Sequence, residues 1–231
     1  MPGMHGLRGS GSTTEFHVQK GLDSGVRGSV PCAVVREHDA DLHPAREALA
    51  APKTAMWADI LHHLQVIPKS IFEVGCNVGG NLQAIRNLLP TIDVAAVEIN
   101  TKAAKKVSKN IKNIDIYNCA FLDFDNTEKM YDFVFTSGVL IHINPEQLDI
   151  VYKKIYSLSR KYILLNEYYN PVPVKINYRG NEDKLFKRDF AGDMLNMYST
   201  LKLIAYRFIY HNDNIFPGDD CTWFLLEKTI K

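Results

Sequence analysis

The residues best suited to chemistry lie in Glu73-Val74-Gly75-Cys76-Asn77-Val78-Gly79-Gly80-Asn81, where a short apolar run turns into a helical pattern. In an open α/β sheet, the carboxyl end of such a strand is where ligands bind. Glycine at 75, 79 and 80 lets the backbone take positive φ and lets a ligand approach the chain with no Cβ between them. The order G-x-x-x-G-G is not the G-x-G-x-x-G dinucleotide fingerprint, and no lysine follows as a phosphate-binding P-loop requires. NAD and ATP therefore drop down the list of ligands. A second apolar run ends in Val97-Glu98-Ile99-Asn100, at about the 20-residue separation that brings a strand-tip carboxylate to a ribose. An ionised carboxylate only accepts hydrogen bonds, so two vicinal hydroxyls suit Glu98 while a 2′-phosphate is repelled. The combination predicts a site for an unphosphorylated nucleoside.

Elements that alternate in type must hold these loops. Buried strands are expected at Ser70–Gly75, Asp93–Ile99, Asp115–Asn118, Tyr131–Ser137 and Tyr162–Asn166. Helices are expected at Thr54–Gln65, at Gly80–Leu89 closed by Pro90, at Thr101–Asn110 with Thr101 as N-cap, and after Asn144-Pro145-Glu146. Phe190–Tyr198 reads as helical, while Leu203–Tyr210 and Cys221–Lys228 read as strands joined through turn signals. The expected fold is α/β: a Rossmann-like, doubly wound, mostly parallel seven-stranded sheet with a C-terminal antiparallel hairpin.

Residues 1–52 differ in composition, being rich in Gly, Ser, Arg and Ala with Phe16 as the one aromatic, and form an atypical leader ahead of a domain at 53–231. Two readings stand: a disordered linker or fusion that does not belong to the fold, or a natural extension whose Leu42–Ala51 part makes a short helix over the site. The chain of 231 residues with 46% hydrophobic and 23% charged residues is an ordinary globular one, which excludes fibrous classes. A net charge of +1 lacks the basic excess of a dedicated nucleic-acid binder. Cysteines 32, 76, 119 and 221 are too sparse for a secreted disulfide framework, and the eight histidines lack metal-ligand spacing. Reduced thiols, a cytoplasmic location, no membrane span and no metal are expected.

The motif around the glycines resembles that of the class I S-adenosylmethionine-dependent methyltransferases: an acidic residue, x, G, x, x, x, G after the first strand, met here by Glu73, Gly75 and Gly79, and an acidic second-strand tip, met by Glu98. The resemblance covers about residues 54–231. It implies S-adenosylmethionine as cofactor, with its methionine part on the Gly75–Gly80 backbone, including Cys76 and Asn77. It also implies the ribose at Glu98 beside Ile99, and the adenine edge along Cys119–Asp123, with Ala120, Phe121 and above all Asp123. Ser137 joins this cofactor set. Within the class, Asn166-Glu167-Tyr168-Tyr169-Asn170-Pro171, Asn177-Tyr178-Arg179-Gly180 and Leu185-Phe186-Lys187-Arg188-Asp189-Phe190 resemble methylases associated with pseudaminic acid biosynthesis, which implies a sugar or nucleotide-sugar acceptor of surface-glycan biosynthesis. The aromatic and Arg-Asn containing stretch that such methylases carry ahead of the first helix is not found in residues 1–52.

Methyl transfer from a sulfonium needs apposition and exclusion of water more than acid catalysis, and a base only where the acceptor loses a proton. His142 is the first candidate base, with Glu167 and Tyr168 at the end of the fifth strand as the others. Each has a structural alternative, a turn-ordering histidine and packing beneath the loop that carries Pro171 and Pro173. Tyr178, Arg179, Lys187 and Arg188 would suit an anionic small-molecule acceptor, or else form a solvated loop with scattered ion pairs. Lys102, Lys105, Lys106, Lys109 and Lys112 read as the exposed side of a helix. The competing function is a protein that binds or cleaves S-adenosylmethionine without methylating an acceptor.

Overall fold

A computed structural model describes residues 33–35, 47–125, 128–178 and 181–229. All fall in one compact unit, Pro31–Lys231. Most of the leader therefore lies outside the described residues, as do Arg179 and Gly180.

Strands β1 (Ala33–Val35), β2 (Ser70–Val74), β3 (Asp93–Val97), β4 (Ile114–Asn118), β5 (Tyr131–Ser137), β6 (Ser159–Glu167), β9 (Leu201–Phe208) and β10 (Thr222–Lys228) form one sheet in the order β1-β4-β3-β2-β5-β6-β10-β9. From β4 to β6 the pairing is parallel. The expected seven-stranded sheet and its antiparallel β9–β10 hairpin are thus present. An eighth strand, β1, pairs antiparallel with β4 at the other edge. It is three residues long, too short for a periodic signal to stand out.

The central strands are buried on both faces, so they read as continuous apolar runs and not as alternating ones. On one face Trp57 and Ile60 of α1 (Glu47–His62), Leu82 and Ile85 of α2 (Gly80–Leu88) and Val107 of α3 (Thr101–Asn110) pack on Ile71, Phe133 and Phe135. Trp57 meets Phe135 edge-on at 4.6 Å, a favoured aromatic geometry. On the other face Val151 and Ile155 of α4 (Leu148–Leu158) and Phe190 and Met194 of α5 (Phe190–Met197) pack on Phe72, Val134 and Ile163. Glu73 and Asn166 thus point to the first face, and Glu167 to the second.

Three local expectations are corrected. Helix α1 begins at Glu47 and ends at His62, running through Pro52, where Thr54–Gln65 was the expectation. Glu47-Ala48-Leu49-Ala50-Ala51 are strong helix formers and extend the helix ahead of Pro52. Residues 174–187 form a hairpin, β7 (Val174–Tyr178) with β8 (Asn181–Lys187), where a loop was the expectation. The N-cap of α3 is Asn100, whose side chain accepts from Lys102 N and Ala103 N at 3.0 and 3.2 Å, and not Thr101. Thr101 Oγ1 donates instead to Asn118 Oδ1 at 2.8 Å. Asn100→Ala is expected to cost about 1 kcal/mol in denaturant unfolding, the usual loss for a missing cap. A loss no larger than that of Thr101→Val would contradict the assignment.

Candidate functional site

The chain reverses direction across the sheet between β2 and β5, since β3 lies on one side of β2 and β5 on the other. Ligands bind at such a switch point, outside the carboxyl ends. Adjacent strands lie about 4.8 Å apart, so the ends of β3, β2, β5 and β6 bring Glu98, Gly75, Ser137 and Glu167 into one row.

Gly75 and Gly79 take φ of 70° and 80°. A Cβ on Gly75 would lie 2.6 Å from Val139 Cγ2, and one on Gly79 would lie 2.9 Å from Ile111 Cδ1, so both need glycine for space as well as for conformation. Gly80 has no positive φ and begins α2, which corrects the role expected for it. Asn77 lies between them at φ 49°, a left-handed conformation that asparagine tolerates. The Gly75 N–H donates to Val97 O at 2.8 Å and the Gly79 N–H to Cys76 O at 2.9 Å, which ties the loop to β3 and to itself.

Glu98 is 7% exposed and holds two loops together. Its Oε2 accepts from Asn77 N and its Oε1 from Asn100 N, both at 2.7 Å. Each oxygen keeps a further lone pair, so ribose hydroxyls remain possible donors. Asn118 was missed in the sequence: its Nδ2 donates to Glu98 O at 2.7 Å and Ile99 O at 3.2 Å and so fixes the strand tip. An asparagine at a strand end carries no special spacing signal. Ile99 is 67% exposed beside it. Of the residues matched to the adenine edge, Ala120 accepts from Asp123 N and Phe124 N through its carbonyl, and Asp123 is exposed. Phe121 is buried, its ring stacked with Phe124 in the core, so only its backbone is at the edge.

Glu73 is 1% exposed, and its Oε1 accepts from Asn81 Nδ2 at 2.8 Å. Asn81 Oδ1 in turn accepts from Lys53 Nζ at 3.4 Å and Trp57 Nε1 at 3.5 Å. Glu73 Oε2 is buried with no partner. Burial pushes this carboxyl up to about 8, against smaller lowering effects of the Asn81 bond and the Lys53 charge. Lys53 and Asn81 were not singled out in the sequence; one is 28 residues from the other, and only the α1–α2 packing joins them. Burial also pushes the Cys76 thiol well above its ordinary value, with Glu73 and Glu98 adding to the effect, which removes it as a nucleophile at neutral pH. Cys119 is disulfide-bonded, which corrects the expectation of reduced thiols at that position, whereas Cys76 and Cys221 are free.

At the end of β5 Ser137 Oγ accepts from Asn166 Nδ2 at 3.0 Å, and Gly138 N donates to Asn166 O at 2.9 Å. A 3-10 turn, Leu140–His142, follows. Glu167 Oε1 accepts from Val139 N at 3.1 Å and Leu140 N at 3.2 Å, which orders the start of that turn, while Oε2 is buried. Burial raises the Glu167 carboxyl to about 7, partly offset by the Thr136 hydroxyl and by the backbone N–H groups of Val139, Leu140 and Ile141. His142 is exposed at the end of the turn. Tyr168 is half-buried, with Lys187 Nζ 4.9 Å from its ring centroid. Arg188 is ion-paired with Asp193 at 2.7 Å, its Nη2 donating to the other oxygen at 3.1 Å, and the Tyr152 hydroxyl donates to the same carboxylate. The expected basic group is therefore divided, since Arg188 serves α5, and the Tyr178 side chain and Arg179 lie outside the described residues. The lysine run on α3 is exposed as expected.

A pH dependence follows from Glu73 and Glu167. Both carboxyls keep a proton in the ligand-free folded chain at pH values where the unfolded chain, near the ordinary 4.5, has released it. The stability they contribute is complete below about pH 4.5 and is lost as pH rises through 7 and 8. Denaturant unfolding at stepped pH should show stability falling across that window, and Glu73→Gln or Glu167→Gln should flatten part of the fall. An unchanged slope in both variants would exclude these groups as its source.

Residues 72–161 match a family model described as a methyltransferase domain, a stretch that contains the glycine loop, Glu98 and Ser137. An uncharacterised protein of Rickettsia prowazekii (strain Madrid E) is 27% identical over 94 residues, covering 38% of this chain and 17% of that protein, so the chain spans a small part of that relative's length. Among solved structures, the N-methyltransferase NodS from Bradyrhizobium japonicum WM9 aligns with a TM-score of 0.59 at 10% identity, over 80% of this chain and 98% of that one. The plantazolicin methyltransferase BpumL, in complex with a monoazolic desmethylPZN analog and S-adenosylhomocysteine, aligns at 0.55 and 14% identity over 80% and 86%. Coclaurine N-methyltransferase, bound to N-methylheliamine and S-adenosylhomocysteine, aligns at 0.56 and 12% identity over 78% and 54%. At these identities the likeness is one of fold. The chain has the fold of these methyltransferases, and residues 72–161 within it match the methyltransferase-domain model.

Proposed function

We propose that this chain transfers a methyl group from S-adenosylmethionine to a small polar acceptor, a sugar or nucleotide-sugar of surface-glycan biosynthesis. The observation that carries the cofactor half is Glu98: a buried carboxylate at the switch point, with both oxygens held at 2.7 Å and lone pairs to spare for a diol. The residues present fit the group. A partnerless buried oxygen on Glu73 lies beside a glycine cradle that a Cβ would fill. Gly75, Cys76, Asn77 and Gly79 would hold the methionine part, Glu98 and Ile99 the ribose, and Ala120, Phe121 backbone and Asp123 the adenine, with Ser137 beside the reacting end. We take residues 53–231 as the domain that carries the activity, entered through α1, and a cytoplasmic setting.

The cofactor supplies an electrophilic methyl group on a sulfonium. The residues of the chain supply alignment, exclusion of water and removal of a proton where the acceptor carries one. Glu167 is the proposed base: its carboxylate takes the proton from the acceptor oxygen or nitrogen, and a carboxyl raised to about 7 is well matched to proton transfer near neutral pH. His142, exposed at the end of the turn that Glu167 orders, and Tyr168, with Lys187 over its ring, are the other candidates. The pseudaminic acid-type acceptor rests on the motifs of residues 166–190 alone, and the pairing of Arg188 with Asp193 leaves Lys187 as the described cation for an anionic one.

Calorimetric titration with S-adenosylhomocysteine tests the cofactor half without knowledge of the acceptor. Saturable one-to-one binding is the expected result, after which sugar acceptors are screened for methylation. Absence of binding would overturn the reading.

A further inference from the structure

We infer that a cleft beside α4, at the end of the sheet away from Glu98 and the glycine loop, binds a small amphiphilic anion: an apolar chain or ring that carries one carboxylate or phosphate. None of the cleft residues is among those proposed to hold the cofactor, so this site stands or falls apart from that reading.

Helix α4 carries two stripes. Val151, Tyr152 and Ile155 are buried in the core. Residues 150, 153, 154, 157 and 158 recur at the three- and four-residue spacing that shares one side of a helix, and all line the cleft. Ile150 is 50% exposed there, an apolar side chain where a solvated face would carry a polar one. Phe124 and Met130, from the segment that leads into β5, stand with Leu158 as the other apolar walls. Phe124 is 3% exposed and stacks on Phe72 at 5.2 Å, so the core holds this wall in place. The space between the walls is about 320 Å³, the size of a small-molecule site. Met130 immediately precedes β5 and Leu158 immediately precedes β6, so the cleft lies toward the amino ends of these strands, whereas Gly75 and Glu98 stand at carboxyl ends. The seven residues of β5, at about 3.3 Å each, set the two ends of the sheet about 20 Å apart.

The rim supplies charge. Lys154 is half-buried, and its Nζ donates to Leu122 O at 2.7 Å and to Phe124 O at 2.6 Å. An ammonium has three N–H groups, so one donor remains. Both acceptors are neutral carbonyls, and among the described residues neither Lys153 nor Lys154 has an ion-pair partner. Lys129 is already paired with Asp115 at 3.1 Å. Asp125 is the one carboxylate on the rim, so two unpaired ammoniums face a single negative charge. Burial lowers Lys154 from its ordinary value, against the raising effects of Asp125 and Asp123. A half-buried cation without a counterion is costly, and an anionic head meets it with a charge-assisted bond. The apolar body of the same molecule covers Phe124, Met130 and Ile150. A small hydrophilic anion leaves those walls in water, a neutral amphiphile leaves the cation unmet, and a cationic one is repelled.

The test is calorimetric titration of the full chain with sodium decanoate at pH 7, beside decan-1-ol, decyltrimethylammonium and acetate. Saturable one-to-one binding is expected for decanoate. Decan-1-ol should bind about tenfold to a hundredfold more weakly, for want of one charge-assisted bond, and the other two not at all. Ile150→Trp fills the cleft from an exposed position with every charge left in place, and is expected to abolish decanoate binding. Lys154→Met should weaken decanoate about tenfold to a hundredfold and leave decan-1-ol unchanged. Should Lys154→Met fail to fold without its bonds to Leu122 and Phe124, Lys153→Gln at an exposed position carries the charge test, with a loss for decanoate alone. Absence of saturation by decanoate, equal affinity for decanoate and decan-1-ol, or wild-type affinity in a folded Ile150→Trp would overturn the proposal. So would displacement of decanoate by S-adenosylhomocysteine, which would put it in the nucleoside site. Co-sedimentation with phosphatidylglycerol vesicles without decanoate binding would assign the cleft to a membrane surface and likewise overturn a free ligand.

Discussion

Glu98→Ala is expected to weaken S-adenosylhomocysteine binding by at least about a hundredfold. The carboxylate makes two short charge-assisted bonds to the backbone, to Asn77 and to Asn100, and under the proposed function it also receives the ribose hydroxyls. Each such bond is worth about 1.5–3 kcal/mol, so loss of two on the ligand side alone corresponds to roughly a hundredfold to ten-thousandfold. The two orphaned N–H groups add to the loss, because the loops they belong to are then no longer joined. Glu98→Gln separates these parts. One amide oxygen can still accept, but the amide nitrogen opposes the other N–H, so an intermediate affinity is expected. Calorimetry measures the affinity, and a thermal melt on the same samples shows that the fold persists. Wild-type affinity in Glu98→Ala would mean that the nucleoside lies elsewhere.

The second large effect is on stability. Gly75→Ala puts a Cβ 2.6 Å from Val139 Cγ2 at a residue held at φ 70°. The left-handed conformation costs a non-glycine residue roughly 1–2 kcal/mol, and overpacking adds about 1–3 kcal/mol, together about 2–5 kcal/mol. For a domain of this size that lowers Tm by roughly 4–20 °C. Two controls apportion the loss. Gly138 has φ 66° but nothing within 4 Å of its Cβ position, so Gly138→Ala should show the conformational part alone. Adding Val139→Ala to Gly75→Ala should recover the packing part. If Gly138→Ala costs as much as Gly75→Ala, contact with Val139 is not what makes glycine necessary at position 75.

The contrast between these residues also explains what was legible in the sequence. The positive φ of Gly75 and Gly79 and the strand-tip place of Glu98 were legible because they depend on strand ends and fixed spacing, which the chain order carries directly. The parallel core was found because double burial writes continuous apolar runs. What escaped depended on contacts between elements distant in sequence. Lys53 meets Asn81 only because α1 lies against α2, and Asn118 reaches the tip of β3 only because β4 is its neighbour. Glu167 was picked as a candidate, but its hold on the Val139–Leu140 backbone is invisible without the register of β5 against β6. The β7–β8 hairpin was partly written in the alternation of Val174, Ile176 and Tyr178, yet Pro171 and Pro173 just ahead read as loop. Phe121 illustrates the opposite error, since a position matched by motif had its side chain claimed by the core.

The contact of Gly75 with Val139 joins two halves of the molecule. On one side of it stand β2, β3 and β4, whose ends carry Gly75, Glu98 and the segment up to Asp123, and on the other β5, β6 and the β9–β10 hairpin. Because the halves meet at a seam, they can diverge at different rates. Under the proposed function, substitutions in the second half that leave Ser137, Val139 and the turn after them in place are expected to alter the acceptor and to spare nucleoside binding. A library confined to β6, the β7–β8 hairpin and β10 would accordingly explore new acceptors on a constant donor site, and Val139 is the position such a library should hold fixed.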